Sequence, residues 1–192
     1  MSIDVYYCKE EQDGWQLTSD GEEFATVAEF FNFTHMLGQM IELLKTDDLP
    51  DELKEVRDSF NSFIDEDREQ YDKSFEGYCE FVQELAVDYA SRQSNPEGVK
   101  YLDVEPENFQ PDVRAFLGRL VLNEEPITPQ KVEQFISALG ALAGLLKTHQ
   151  EHYKKEDPDV AAALENAHKK AGMIMQYAEE AAAQDCGFIF HP

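Results

Sequence analysis

Residues 51–88 read DELKEVRDSFNSFIDEDREQYDKSFEGYCEFVQELAVD. Apolar side chains recur at Leu53, Val56, Phe60 and Phe63, then at Tyr71, Phe75, Tyr78, Val82 and Leu85, and on to Tyr89. Steps of three and four are the period of one buried helix face. No Pro or Gly interrupts the run before Gly77, yet Asp67 falls where the seam should continue. The stretch therefore reads as one helix to about Arg92 or as two helices jointed near residues 65–72.

The acids of the same stretch form a second row. Asp51, Glu55, Asp58, Asp65, Glu69, Asp72, Glu76, Glu80, Glu84 and Asp88 follow at three- or four-residue steps, with Ser62 in the gap. They lie two positions out of phase with the apolar row, about 200° around a helix turning about 100° per residue. The acids then face solvent while Leu53, Phe60 and their neighbours face a core. Eight adjacent like-charge pairs at roughly 0.2–0.5 kcal/mol each cost about 2–4 kcal/mol before screening. A helix shaped by stability alone would alternate Glu with Lys.

Working outward, the N-terminal side opens with the β-prone residues 3–8 and 15–18, separated by a polar, Gly-containing turn, which predicts a small hairpin. Gly187-Phe188-Ile189-Phe190 is a candidate third strand. Thr26-Val27-Ala28-Glu29 is a capping box that opens a helix to about Lys45, with Phe30, Phe31, Phe33 and Leu37 as core. On the C-terminal side, Pro96, Gly98, Pro106 and Pro111 mark residues 94–112 as an irregular connector. Helices follow from about Asp112 to Leu122, from Thr128-Pro129 to about Lys155, and from Asp157-Pro158 to about Ala183. Short turns between them predict antiparallel neighbours. The expected fold is mainly α: an antiparallel helical bundle with a small terminal β-hairpin or three-stranded β element. Its organisation reads as an acidic region over 1–93, the connector 94–112 and a helical platform over 113–192, together one compact domain.

Composition fits this division. The chain has 192 residues and a formal charge of −24, with 42% hydrophobic residues, enough apolar surface to fold. Residues 1–112 carry 29 acids against 8 bases, whereas 113–192 carry 11 against 8. The excess is thus local to the N-terminal half. Such a charge excludes direct grip on nucleic-acid phosphates. The longest apolar run, Ala138 to Leu146, is too short to span a membrane. No basic n-region precedes an apolar stretch at the N-terminus, and Cys8, Cys79 and Cys186 show no CxxC or zinc spacing. The expected setting is a reducing cytoplasm with free thiols. Cys79 falls on the apolar stripe as a small core residue, and Cys8 and Cys186 have no pairing that the sequence decides.

No cofactor, metal or catalytic residue is expected. The strongest metal-like constellation is His149 and His152 with Glu165 and His168, brought near one another by the Asp157-Pro158 turn. His149 continues the Leu139, Leu142, Leu146 row, which favours a buried or boundary histidine. Asp65, Asp67, Glu69 and Glu76 match calcium-loop positions only loosely, because Gln70 stands where glycine is needed. Gly140 and Gly144 form a GxxxG that reads as helix packing, and no GxxxxGK, GxSxG or HExxH occurs.

Function then rests on the acid row, the candidate partner-binding residues. One carboxylate per about 5 Å is sparser than a single strand's phosphate per about 3.4 Å, though Asp47, Asp48, Glu52, Glu66 and Asp67 thicken it. In charge layout alone, the chain resembles the nucleic-acid-mimicking anti-defence proteins of phages. The resemblance implies a non-enzymatic inhibitor that docks on the basic cleft of a nucleic-acid-processing enzyme. Two other readings fit: an immunity protein against a basic toxin, and an acidic helical accessory protein whose row is a solvated face. The sequence leaves the partner and the oligomeric state open, a homodimer along the seam included.

Overall fold

A computed structural model describes residues 2–65, 68–69, 71–77, 79–80, 107, 111–120 and 126–191. The chain is mainly α, with a four-stranded antiparallel sheet. Strand β1 (Ser2–Glu11) turns at residues 12–13 into β2 (Gly14–Leu17), where Gly14 adopts φ +119°. β3 (Glu22–Thr26) follows, then helix α1 (Val27–Leu43) and helix α2 (Asp51–Ile64). Helix α3 spans Pro111–Leu120, and a 3₁₀ turn at Pro129–Lys131 leads into α4 (Val132–Tyr153). Helix α5 (Pro158–Ala183) and strand β4 (Gly187–His191) complete the order.

The sheet is built around β1. Cys8 pairs with Leu17 on one side and Gly187 on the other, while Val5 pairs with Glu22 and Phe190. A strand residue has two neighbours, so β2 and β3 share one edge of β1 and β4 holds the other. Residues 18–21 bulge between β2 and β3, tied back by Thr18 N–H to the Tyr7 carbonyl (2.8 Å) and Tyr7 N–H to Ser19 Oγ (2.9 Å). The expected hairpin is present with a longer first strand, and β4 adds the expected C-terminal strand. The reading missed β3, whose acidic EEFAT lacks the apolar alternation of a half-buried strand.

Helix starts follow the caps in the sequence. Thr26 Oγ1 accepts from Glu29 N–H (3.2 Å), and the Glu29 carboxylate accepts from Thr26 N–H (2.9 Å), a complete capping box. Asp157 accepts from the backbone N–H groups of Asp159 and Val160 and caps α5. Thr128 makes no such bond, and Pro129 instead starts a 3₁₀ turn ahead of α4. Helix α4 packs most extensively on α5, where Gln150 meets Glu165 and the Ala143 carbonyl meets His168, an antiparallel pairing across the 154–157 turn.

One cluster of buried apolar residues runs from Ile3 to Phe190. Its spine is aromatic. Phe60 and Phe63 of α2 pack on Phe116 of α3 at 5.4 and 5.9 Å between ring centres. Phe63 reaches Phe135 of α4, Phe135 reaches Phe188 of β4, and Phe190 reaches Phe24 of β3. Phe30, Phe33 and Leu37 of α1 are buried as expected. Cys79 is buried in the same core, where burial pushes its thiol up to about 12.

Candidate partner interface

The acid row sits where the helical phase requires. Leu53 and Val56 are half-buried, and Phe60, Phe63, Tyr71 and Phe75 are buried. Asp51, Glu55, Asp58, Asp65, Glu69, Glu76 and Glu80 are exposed on the opposite side. Of the remaining members, Asp72 is half-buried, and Glu84 and Asp88 lie outside the described residues, as do Tyr78, Val82, Leu85 and Tyr89. So do all but three residues of the connector 94–112.

Helix α2 ends at Ile64, with Asp65 as its C-cap, and the described residues 68–69, 71–77 and 79–80 are helical. The end at Ile64 agrees with the two-helix alternative, whose joint lies partly outside the described residues. The uninterrupted α2 portion is about 21 Å long at 1.5 Å per residue, far short of a single straight row over 51–88.

Several acids meet bases of this chain. Lys54 Nζ lies 2.8 Å from Asp51, Arg57 Nε 3.4 Å from Asp58, Arg68 Nη2 3.3 Å from Asp65, and Lys73 Nζ 3.2 Å from Glu69. These contacts are local and solvent-facing, with 95% of the Asp51 side chain and 88% of the Glu69 side chain exposed. Such pairs are worth about 0–1 kcal/mol and exchange readily for an external cation. Asp72 is different. Arg114 of α3 donates from Nε (2.6 Å) and Nη2 (3.4 Å) to its two carboxylate oxygens, and the partners are only 32% and 19% exposed. The fork ties two helical segments together, so Asp72 also has a role in the fold. Glu55, Glu76 and Glu80 make no ion pair among the described residues.

A further tie borders the row. Asp112, at the start of α3, is 2.8 Å from Arg68 and 3.3 Å from Lys45, and Lys45 also reaches Glu42 (3.4 Å). α3 thus anchors both the end of α1 and the segment after α2. Sequence reading missed this role, because Asp112 and Arg114 are remote in number and belong to no periodic pattern.

The other sequence candidates do not converge. Glu165 accepts from Gln150 Nε2 (3.2 Å) and pairs with Lys169 (2.8 Å), which holds its carboxyl below the usual range. The contact falls on Gln150, one residue past His149. His168 donates from Nδ1 to the Ala143 carbonyl (3.0 Å), and exposed His152 lies 3.7 Å from Glu156. Among the described residues no three His, Cys, Asp or Glu side chains gather at one point. Gly140 approaches Met175 of α5, while Gly144 is exposed, so the two glycines do not mark one close crossing. Cys8 and buried Cys186 come close through the β1–β4 pairing, both as free thiols, and burial pushes Cys8 up to about 12. No described helix is long and apolar enough to cross a membrane.

The chain matches no family model, no curated protein and no solved structure.

Proposed function

We propose that this is a non-enzymatic acidic interaction protein that docks its carboxylate face on the basic cleft of a nucleic-acid-processing enzyme, in the manner of an anti-defence inhibitor. The supporting observation is the phase of the helices over 51–80: aromatic residues are buried in the core while seven acids point outward. A concentrated negative field raises encounter rates with a cationic surface, and packing around it selects the target. In this reading the α4–α5 pair forms the base of an antiparallel helical bundle carrying the acidic half, and the setting is a reducing cytoplasm in which the thiols stay free.

A second reading has its own support. The local pairs at Asp51, Asp58, Asp65 and Glu69 are what a self-neutralised, solvated face would show, as in an acidic accessory protein. Charge reversal separates the two. The triple variant Glu55→Lys, Glu76→Lys, Glu80→Lys alters acids with no internal ion pair among the described residues, so helicity by circular dichroism should be retained. Affinity purification from the native host at about 50 mM and about 500 mM salt should yield a basic nucleic-acid enzyme that is lost at high salt, lost with the variant and displaced by duplex DNA. Retention of the same partner by the variant would sink the docking reading in favour of the solvated face.

A further inference from the structure

A site of opposite sign lies under the acidic half. Among the described residues Arg119 of α3 is the one fully buried charged side chain, 5% exposed in a chain of net charge −24. Its guanidinium carbon lies over two aromatic rings: the Phe63 ring centre is 4.5 Å away and the Tyr71 ring centre 4.4 Å. A cation–π contact stabilises the charge but leaves the N–H groups to be satisfied separately. Nε and Nη2 are buried and make no hydrogen bond among the described residues. These two donors share one edge of the guanidinium, the edge that grips an anion side-on. Five residues earlier on the same helix, Arg114 uses that edge for Asp72.

The site holds a small cavity of about 10 Å³, lined by Phe63, Tyr71, Arg119, Pro126, Ile127 and Lys131. That is room for roughly one water-sized particle. A buried cation with two orphaned donors is expensive, and an apolar side chain of similar volume would normally serve a core better. Lys131 also lines the cavity. The long-range field of the molecule repels anions, but it is screened beyond about 10 Å at 0.1 M salt, whereas the desolvated edge acts at contact.

We propose that the Arg119 cavity is a binding site for one small monovalent anion, with chloride as the anion to be tested. The inference is independent of the acidic face. It is tested on the full chain by thermal unfolding in sodium chloride against sodium gluconate at equal ionic strength, because gluconate is too large to enter. A tenfold excess of chloride over its dissociation constant should raise the midpoint by about 3–5 °C for a chain of this size. Arg119→Lys keeps the charge but loses the two-donor edge, and should abolish the difference between the salts. Chlorine-35 line broadening gives a second readout that needs no variant: the wild type should broaden the free-chloride signal, and bromide should reverse the effect. Equal melting in both salts, or no excess broadening by the folded wild type, overturns the proposal and assigns the edge to water or to an internal carboxylate.

Discussion

Single side chains in this molecule divide into those that face water and those that tie helices, and the two classes respond differently to substitution. Arg114→Ala removes a short, half-buried fork to Asp72 and should lower unfolding free energy by about 1–2 kcal/mol in urea titrations. Lys73→Ala, which removes the exposed pair with Glu69, should change it by less than about 0.5 kcal/mol. Gly118 is more demanding than either. A Cβ there would overlap the Tyr71 backbone carbonyl, so Gly118→Ala should cost about 3 kcal/mol by the same measurement. None of these differences follows from residue type: Asp72 and Glu69 are both carboxylates of one periodic row, and only the approach of α3 separates them.

Among the elements, α1 and α5 owe their starts to caps that a reader of the sequence can see. Thr26→Ala and Asp157→Ala should each lower stability by about 1 kcal/mol. Glu29 adds a pH signature. The Thr26 backbone N–H bonded to its carboxylate holds that group below its ordinary value of 4.5. A carboxyl depressed in the folded state stabilises fully above the unfolded value and loses that contribution as pH falls through the folded one. The stability difference between wild type and Glu29→Gln should therefore be constant near neutrality and close progressively below about pH 4.5, as urea midpoints at pH 6 and pH 3 would show. Phe60, Phe63 and Phe75 were legible as core because their spacing matches a helix turn. The end of α2 at Ile64 was legible only as an alternative, since Asp67 weakened the seam without naming where the helix stops. β3 was not legible, because its pairing with β1 comes from main-chain bonds that an acidic side-chain pattern conceals.

For the molecule as a whole, the charge of −24 imposes self-repulsion that salt should relieve. Raising ionic strength from about 10 to about 300 mM should increase the thermal midpoint in gluconate as well as in chloride, because screening is indifferent to the anion. A chloride-specific increment would add to that common rise, and the Glu55, Glu76 and Glu80 reversals should lessen the common rise alone. Composition and periodicity by themselves determined the helical class, the buried aromatic row, the exposed acids and two of the caps, because each is a property of neighbours three or four residues apart. Tertiary structure alone decided that Asp72 is a tie, that Asp112 joins three segments, that Cys8 lies near Cys186, and that Arg119 lies over the Phe63 and Tyr71 rings. Those outcomes depend on which distant segments are packed together, and local spacing carries no record of that.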